Sequence, residues 1–330
     1  MKNKTNTYIN FAVHLAGLIM SAHAATACAA DAYPVKPVRW IAPVLAGGGG
    51  DLIARAVAPK LSEAWGQQVI IDNRVGGGGT LGMTIAMKMP ADGYTMVLGV
   101  MSFVGVAPAL YPKLAYDPRR DFVAVTQILD APLILAAHPS LPAKNVRELI
   151  ALAKAKPGSI SYASPGSGTA AHMATELIRS MSGTQMLHVP YRGAPPALTD
   201  VVSGQVTMYM TTVPGGMALI KSGRLKVLGS SSLKRTRALP DVPTIAESGL
   251  PGYDVTTWYG VLAPVGLPAP ILTRMNTDIV RAIRLPDVQE RFASEGGDIV
   301  GNSSEEFGAF IAREIAKWTK VAKDAGVKPD

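Results

Sequence analysis

The sequence predicts an α/β fold in which two lobes are joined by two crossing strands. Apolar segments typical of strands alternate with segments of helical periodicity along most of the chain. About 300 residues follow an N-terminal leader, more than one hydrophobic core comfortably holds. Two long apolar strands, near Ala131 and Val255, are placed where they can pass between the halves. We expect residues 31–130 and 256–330 to form lobe 1 and residues 131–255 to form lobe 2.

The first 30 residues have the layout of a secretory signal peptide. Lys2 and Lys4 precede an apolar run at residues 11–20, and small residues in an Ala-His-Ala pattern follow at residues 22–24. Cleavage is expected between residues 24 and 30. No later run approaches the ~20 apolar residues that a membrane-spanning helix needs. We expect a soluble protein that is exported to a bacterial periplasm.

The only cysteine of the chain, Cys28, lies inside this leader. The mature chain is therefore expected to contain no cysteine. The Ala-Thr-Ala sequence at residues 25–27 also allows a lipidated Cys28, although the leucine that is usual in such a box is missing. Simple cleavage of the leader is the preferred interpretation.

The charge balance of the chain is basic but scattered. The formal net charge is +8, and loss of a leader carrying Lys2 and Lys4 leaves 30 basic against 24 acidic residues, a net +6. Such a surface can attract small anions or nucleic acid. The densest cluster, at residues 234–237, has no interleaved aromatic residues on which bases could stack. We interpret it as a solvated turn and expect no nucleic-acid partner.

The first strand leads into a glycine-rich loop with the chemistry of an anion site. Residues 39–44 form an apolar strand, four glycines follow at residues 47–50, and a helix opens at Asp51. Glycine lets peptide N–H groups turn toward a ligand, and a helix N-terminus adds unpaired donors and a partial positive charge. A tight structural turn is the alternative. A phosphate loop is not expected, because no Gly-Lys-Ser/Thr follows.

Asp51 is interpreted mainly as a first-turn residue that stabilises the helix dipole by ~0.3–1 kcal/mol. Beside an anionic ligand its carboxylate would be repulsive, unless it pointed away or met a hydroxyl or amine of the ligand. Further along the same helix, Pro59 is expected to kink the helix or to end it near Ala58.

A second glycine run contains Gly-x-Gly-x-x-Gly at residues 77–82, between a strand at residues 67–72 and a helix. This spacing is that of a dinucleotide fingerprint, which makes an NAD-dependent oxidoreductase the competing enzyme hypothesis. The acid expected at the end of the next strand is absent, since residues 95–101 carry none. Ser102 follows that strand, where its hydroxyl could donate to a ligand or only cap the strand.

The second half of the chain repeats the arrangement of strand, loop and helix. A strand at residues 159–163 leads into Ser-Pro-Gly-Ser-Gly-Thr at residues 164–169, which opens a helix. A serine-hydrolase elbow is not expected, because Pro165 replaces the first glycine and no acid and histidine partners are evident. His172 and Glu176, four residues apart, lack a third metal ligand. We interpret them as a helix-surface pair and expect no metal site.

The remaining segments continue the alternation. Thr211 and Thr212 follow a strand at residues 206–210 and could face a cleft, and a further apolar strand spans residues 254–263. Helices are expected at residues 145–156, 195–202, 215–221, 270–283, 286–294 and 304–325, with strands at residues 131–137 and 226–229.

Short motifs in a fixed order, which together cover nearly all of the chain after the leader, carry a resemblance to a known family. None is specific alone, and together they are highly specific. They are residues 33–39 (Tyr-Pro-Val-Lys-Pro-Val-Arg), 42–55, 73–74 with the glycines that follow, 90–94 (Pro-Ala-Asp-Gly-Tyr), 164–169, 188–193 (His-Val-Pro-Tyr-Arg-Gly), 239–247 (Leu-Pro-Asp-Val-Pro-Thr-Ile-Ala-Glu) and 258–260 (Trp-Tyr-Gly).

On these residues the chain resembles the substrate-binding proteins of tripartite tricarboxylate transporters, the Bug receptor family. The resemblance implies a type II periplasmic binding protein fold whose two lobes close on a carboxylate. It also implies that loop backbone amides and ordered water hold that carboxylate. The ligand-binding residues that it implies are Leu45, Ala46, Gly47, Gly48, Gly49, Gly50, Asp51 and Ser102 in lobe 1, and Ser164, Gly166, Ser167, Gly168, Thr169, Ala170, Tyr191 and Thr211 in lobe 2.

Two positions depart from the family pattern. Gly50 stands where many relatives have threonine, which removes a hydroxyl donor and puts the usual contact of the first loop in doubt. Thr211 stands where many have aspartate, which makes the pocket less suited to the ammonium group of an amino acid. We therefore expect a ligand without an amine, either a di- or tricarboxylate or an aromatic acid.

The function that the resemblance implies is capture without chemistry. We expect a monomeric receptor, without cofactor or metal, that delivers its carboxylate to the membrane subunits of a transporter. The residues agree, since no pair of nucleophile and base accompanies either helix start. A ligand sensor for a membrane two-component kinase, built on the same fold, is the alternative function.

Overall fold

In the part of the chain that the structure describes, ten strands form one sheet that runs through both lobes. The computed structural model describes residues 33–294 and 296–327. The expected leader, residues 1–30 with Cys28, lies outside the described residues, so its cleavage and lipidation remain predictions. Within the described part of the chain, no helix is both long and apolar enough to cross a membrane.

Strands and helices alternate along the chain, as the sequence predicts for an α/β fold. The strands are β1 Val38–Ala42, β2 Val69–Asn73, β3 Thr95–Val100, β4 Phe122–Ala137, β5 Ser161–Ser164, β6 Leu187–Pro190, β7 Met208–Thr212, β8 Lys226–Ser230, β9 Thr256–Pro264 and β10 Asp298–Ile299. The helices are α1 Gly49–Trp65, α2 Thr80–Ala86, α3 Ala107–Leu110, α4 Val146–Ala155, α5 Ala170–Ser182, α6 Ala194–Val202, α7 Val213–Lys221, α8 Ala269–Ile283, α9 Pro286–Ser294 and α10 Ser304–Ala325. A 3₁₀ turn, Gly77–Gly79, precedes α2, and a π-helical turn, Met101–Val106, precedes α3.

The sheet of lobe 1 has the order β2-β1-β3-β9-β4. Strands β1, β2 and β3 are parallel, and β9 is antiparallel to β3. Strand β3 is buried along its whole length, as expected of a parallel strand that is covered on both faces. Because the three parallel strands end at the same edge, the loops that follow them lie side by side.

The two crossing strands are β4 and β9. Strand β4 pairs with β9 as far as Pro132 and with β7 from Leu133 onward, so one continuous strand belongs to both lobes. The sequence predicted only the second half of β4, because Gln127 and Asp130 interrupt its apolar run. The change of partners falls two residues after the boundary that we expected at residue 130.

Lobe 2 continues the sheet in the order β4-β7-β5-β6, with β8 paired to β4 as well. Strands β5, β6 and β7 are parallel, so their carboxyl ends also share one edge. The C-terminal helix α10 packs against α5 of lobe 2 and against β4 and the π-helical turn of lobe 1. This helix therefore bridges the two lobes behind the crossing strands.

Helix α1 continues through Pro59 to Trp65, so the expected end near Ala58 is wrong. Pro59 lies on the exposed face of the helix, where water can bond the carbonyl that loses its N–H partner. The opposite face, with Val57 and Leu61, is fully buried. Burial of that face outweighs a local cost of about 3 kcal/mol for proline inside a helix.

Candidate ligand-binding site

Loops that follow the parallel strands bring the two lobes together. In lobe 1 these are the loop after β1, the glycine run after β2 and the π-helical turn after β3. In lobe 2 the corresponding loop connects β5 to α5. Open α/β sheets bind ligands outside the carboxyl ends of their strands, so this boundary is the candidate site.

Asp51 is buried and holds the loop after β1 from inside lobe 1. Its Oδ2 accepts hydrogen bonds from the Gly47 N–H and from Arg55 Nε, both at 2.8 Å, and its Oδ1 accepts one from Asn73 Nδ2 at 2.9 Å. Burial alone would raise the pKa of Asp51, but these hydrogen bonds hold that pKa below its usual value. The carboxylate is therefore charged and has its donors within lobe 1.

The N-terminus of α1 has no side-chain cap, because its N-cap residue is Gly48. A Cβ added at Gly49 would lie 3.3 Å from the hydroxyl oxygen of Tyr259 on β9. A Cβ added at Gly50 would lie 2.9 Å from Leu98 Cδ2, so this position faces the buried interior of lobe 1. A threonine at position 50 would therefore have to displace Leu98. Tyr259, which the Trp-Tyr-Gly motif contains, was not among the predicted ligand residues.

The loop after β5 is held from within lobe 2. Ser164 is fully buried, and its Oγ lies 2.6 Å from His188 Nε2 and accepts a hydrogen bond from the Gly166 N–H at 3.2 Å. The hydroxyl of Thr169, the N-cap of α5, donates to the Gly166 carbonyl at 2.8 Å rather than capping the helix. Helix α5, like α1, therefore begins without a side-chain cap.

His172 and Glu176 are 4% and 1% exposed, so their interpretation as a helix-surface pair is wrong. Helix α5 packs against both the sheet and α10, and its charged residues are buried with the apolar ones. His172 Nδ1 accepts a hydrogen bond from the Gly168 N–H at 3.0 Å. Within the described ranges, no group of three His, Cys, Asp or Glu residues could hold a metal ion.

A cavity of about 100 Å³ lies between the lobes, at the point where these loops meet. A Cβ added at Gly168 would lie 2.7 Å from Leu110 Cδ1, so the lobes are in direct contact beside it. Lobe 1 contributes Gly77, Gly78, Thr80, Ser102, Val106, Ala107, Leu110 and Tyr111 to the lining, and lobe 2 contributes Ser167, Gly168 and Thr169.

The structure brings together some of the predicted ligand residues and leaves others apart. The cavity lining contains Ser102 of lobe 1 and residues 167–169 of lobe 2. It contains none of residues 45–51, and Leu45 is 69% exposed. Gly166 and Ala170 flank the lining residues of lobe 2 in the chain. Contact of these other residues with a ligand stays a prediction.

The Tyr191 side chain is hydrogen-bonded within lobe 2, and the Thr211 side chain is buried there. The Tyr191 hydroxyl donates to Asp200 Oδ2 at 2.5 Å, and burial together with this carboxylate raises the pKa of Tyr191 to about 12. Thr211, on β7, is 2% exposed. Their expected roles in completing the pocket also stay predictions.

Gly77, Gly78 and Thr80 line the cavity, although the sequence analysis did not assign them to the ligand site. The φ angles of the two glycines are +53° and +64°, a region that favours glycine. Strand β2 is the edge strand of the sheet, and α2 has only seven residues. The geometry favours a cleft wall over a dinucleotide site. The strand–helix–strand order of β1, α1 and β2, which is typical of two parallel neighbours, is the sequence signal that could have placed this loop beside the first.

A larger open groove, of about 870 Å³, lies between residues 234–237 of lobe 2 and the segment around β10 of lobe 1. Its lining carries four basic residues and two acids, Glu290 and Asp298, and contains none of the loops that follow the parallel strands. Its position away from those loops therefore favours the smaller cavity as the ligand site.

Two α/β lobes that are joined by two crossing strands and meet at glycine-rich and serine-rich helix starts define a solute receptor of the periplasmic binding protein class. Residues 53–327 match the family model described as the tripartite tricarboxylate transporter family receptor, TctC. The chain belongs to this family, as its motifs predicted. It is 35% identical to Protein BugT of Bordetella pertussis over 311 residues, which cover 94% of this chain and 95% of that protein.

Solved structures of similar proteins confirm the fold. The structure of R. palustris Rpa4515 with adipate is 34% identical, with a TM-score of 0.79 over 90% of this chain and 100% of that chain. The structure of MatC from Rhodopseudomonas palustris with bound malate is 30% identical, with a TM-score of 0.74 over 88% of this chain and 99% of that chain. The family consists of periplasmic solute-binding receptors.

Proposed function

We propose that this receptor captures a small organic carboxylate between its lobes and delivers it to the membrane subunits of a tripartite tricarboxylate-type transporter. The interlobe cavity is the observation that carries the proposal, since Thr80 and Ser102 on one wall face residues 167–169 on the other. The bound adipate and malate in two similar structures support a carboxylate as the ligand.

The Ser102 hydroxyl and backbone N–H groups are the donors that this cavity offers, since the Thr80 and Thr169 hydroxyls already donate to the Gly77 and Gly166 carbonyls. Among the described residues of its lining, none has a charged side chain. Stripping water from a carboxylate costs several kcal/mol, and charge-assisted hydrogen bonds contribute about 1.5–3 kcal/mol each. Three or four donors from two lobes would therefore offset the desolvation. Micromolar affinity, about 8 kcal/mol, is accessible in this way.

The same lining favours an acid without an amine. An ammonium group needs an acceptor, preferably a carboxylate, and the described lining residues contain no Asp or Glu. Asp51 and Asp200 lie outside this lining and accept hydrogen bonds within their own lobes. Thr211 is buried on β7, where many relatives are expected to have aspartate. We therefore propose a di- or tricarboxylate or an aromatic acid.

Capture requires the lobes to move. The cavity is smaller than the roughly 300 Å³ at which ligand clefts begin, so an acid of the size of adipate needs the lobes to open before it enters. Because the ligand touches both lobes only in the closed form, it shifts the equilibrium toward closure. We propose that the leader directs export of the chain. In the periplasm, the membrane subunits then recognise the closed form.

Thermal unfolding against a panel of ligands tests the proposal. The panel contains adipate, malate, citrate, benzoate and NAD, with aspartate as the amine counterpart of malate. We expect at least one of the acids to stabilise the protein, by about 2.7 kcal/mol when it is present at 100 times its Kd, and we expect aspartate and NAD to have no effect.

The variant Ser102→Ala locates the site. Loss of a hydroxyl donor to a charged carboxylate is expected to weaken binding by about 1.5–3 kcal/mol, which is roughly tenfold to a hundredfold. Ser222→Ala, in an exposed turn at the end of α7, is the matched control and should bind like the wild type. Stabilisation by NAD with none by the acids, or full affinity in Ser102→Ala, would overturn the proposal.

A further inference from the structure

A cluster of buried and half-buried titratable side chains lies behind the loop after β5. His172 of α5 and His188 of β6 stack with ring centroids 4.0 Å apart, and His188 also stacks on Tyr162 of β5 at 4.9 Å. The Tyr162 hydroxyl and the Arg179 guanidinium both donate hydrogen bonds to Glu176. None of these side chains lines the ligand cavity.

Two contacts connect this cluster to the loop. The Gly168 N–H donates to His172 Nδ1 at 3.0 Å. Ser164 Oγ, which accepts from the Gly166 N–H, lies 2.6 Å from His188 Nε2. Because Gly168 lines the cavity, the first contact fixes a residue of the ligand site from behind.

The direction of the Gly168 hydrogen bond assigns the protonation state of His172. A ring nitrogen that accepts from an N–H carries no proton, so the imidazole is neutral with its proton on Nε2. A proton on Nδ1 would set two donors against each other and break the bond to the loop. The position of His172 in the first turn of α5, where the helix dipole is positive, also disfavours a cation.

Lobe 1 has the same arrangement with a different acceptor. Asp51 is the third residue of α1 and accepts from Gly47, the residue before the N-cap. His172 is the third residue of α5 and accepts from Gly168, again the residue before the N-cap. A carboxylate accepts at any pH above its own low pKa, whereas an imidazole accepts only while it is neutral. The connection in lobe 2 is therefore the one that protonation of an imidazole can break.

We infer that His172 is a positioning residue for ligand capture. Its neutral imidazole holds Gly168 in the conformation that binds the ligand, and its protonation releases the loop and lowers ligand affinity. This inference deepens the proposed function and rests on it. The receptor should hold its ligand best while His172 is neutral and lose affinity as the pH falls.

The charged groups nearest His172 act in opposite directions. Glu176 Oε1 lies 3.7 Å from His172 Nε2 and favours a protonated ring. That carboxylate is already neutralised by Arg179 and receives the hydroxyl of Tyr162. The stacked ring of His188 disfavours a second positive charge 4.0 Å away.

Groups on the other elements packed against α5 add little charge near the ring. Strand β7 carries Tyr209, whose pKa is raised by burial, so the phenol stays neutral. Helix α10 carries Glu314, which forms an ion pair with Lys317 at 2.5 Å. Protonation of His172 itself is therefore the event that breaks the hydrogen bond from Gly168.

Two variants of His172 separate its role as an acceptor from its titration. Asn places Oδ1 where the ring has Nδ1, so His172→Asn keeps an acceptor for Gly168 that does not titrate. His172→Ala removes the acceptor. At about pH 8 we expect His172→Asn to bind adipate like the wild type and His172→Ala to bind about tenfold more weakly. As His172 becomes protonated, the Kd of the wild type should rise toward that of His172→Ala, about tenfold above its value at about pH 8.

The experiment is calorimetric titration of adipate into the full chain and both variants from about pH 8 to about pH 5.5. His172→Asn is the control, because it keeps an acceptor for Gly168 that does not titrate, retains His188 and shares the titration of adipate with the wild type. We expect the excess loss of affinity at low pH only in the wild type. Identical pH profiles of the wild type and His172→Asn, or full affinity of His172→Ala, would overturn the inference.

A second measurement does not depend on the ligand. The ¹H–¹⁵N resonance of the Gly168 amide in the ligand-free protein should shift with pH in the wild type and stay constant in His172→Asn. If adipate binds no form at about pH 8, the proposal of adipate as ligand fails while the amide still tests the role of His172. An amide that does not respond to pH in the wild type would contradict that role.

Discussion

Buried acids of this protein have pKa values that move in opposite directions, because their hydrogen-bond donors differ. Asp51 receives a backbone N–H, an amide and the Arg55 guanidinium, which together lower its pKa despite burial. Among the described residues, Asp130 accepts hydrogen bonds from the neutral side chains of Gln127 and Thr256, and burial raises its pKa to about 6. The residue type alone does not predict either direction.

The charge of Asp51 is expected to stabilise the fold. Because the pKa of Asp51 is lower in the folded than in the unfolded chain, its contribution is present above about pH 4 and is lost as the pH falls through the folded-state value. Asp51→Asn should lower the free energy of unfolding by about 1–3 kcal/mol at neutral pH and by less at about pH 3. Urea unfolding at the two pH values measures the difference.

Asp324→Asn is the matched control for this prediction, since Asp324 pairs with Lys320 on the exposed face of α10. Exposed ion pairs of this kind contribute roughly 0.3–0.5 kcal/mol, so the control should change little at either pH. An equal loss at both pH values in Asp51→Asn would show that packing, and not charge, is what the substitution removes.

Among the elements, the crossing strands β4 and β9 decide how the lobes are connected. Asp130 of β4 accepts hydrogen bonds from Gln127 Nε2 at 2.5 Å and from Thr256 Oγ1 of β9 at 3.2 Å. Burial also raises the pKa of Asp254, which precedes β9. The crossing strand β4 and the segment that leads into β9 therefore contain acids whose charged forms are disfavoured by the fold.

Asp130→Asn is expected to stabilise the protein in neutral and basic solution. A raised folded-state pKa means that stability is fully present below about pH 4 and is lost as the pH rises through about 6. The side-chain amide of Asp130→Asn still accepts from Gln127 and Thr256. Because it does not ionise, the variant keeps this stability as the pH rises. The free energy of unfolding should exceed that of the wild type by up to about 3 kcal/mol at about pH 8 and should be similar near pH 4.

Asp121→Asn supplies the contrast for this prediction. Arg120 holds the pKa of Asp121 below its usual value, so removing this charge should destabilise the protein at about pH 8. Urea unfolding of both variants at the two pH values measures whether each substitution raises or lowers the free energy of unfolding. A variant Asp130→Asn that is less stable than the wild type at about pH 8 would contradict the prediction.

At the scale of the whole molecule, the two lobes come into contact beside Gly168. A Cβ added there would lie 2.7 Å from Leu110 Cδ1 of lobe 1, and the φ of Gly168 is +75°. Gly158 has a φ of +76° and no atom within 4 Å of an added Cβ. The two glycines therefore differ in their contact with the other lobe and not in backbone conformation.

Gly168→Ala and Gly158→Ala should lose similar stability, about 1–2 kcal/mol each, because both place a side chain at positive φ. Only Gly168→Ala should weaken ligand binding, by about 1–3 kcal/mol, because the added methyl crowds Leu110 when the lobes close. Calorimetric titration with the best acid of the panel measures the affinities. Equal affinities of the two variants would show that closure does not use this contact.

The sequence by itself determined the features that depend on neighbours along the chain. Periodicity predicted the alternating strands and helices, and the glycine and serine motifs predicted the two loops that begin α1 and α5. The motifs together predicted the family, which the match over residues 53–327 shows. These signals are local, because dihedral preference and hydrophobic pattern act over a few residues.

Only the tertiary structure decided which loops meet and which polar groups are buried. The cavity joins Thr80 to Gly168, and His172 reaches His188 through the pairing of β5 with β6. Such contacts depend on the order of strands in the sheet, which no short segment encodes. For the same reason the sequence could not show that Glu176 is buried, since burial is a property of the elements that cover a helix and not of the helix itself.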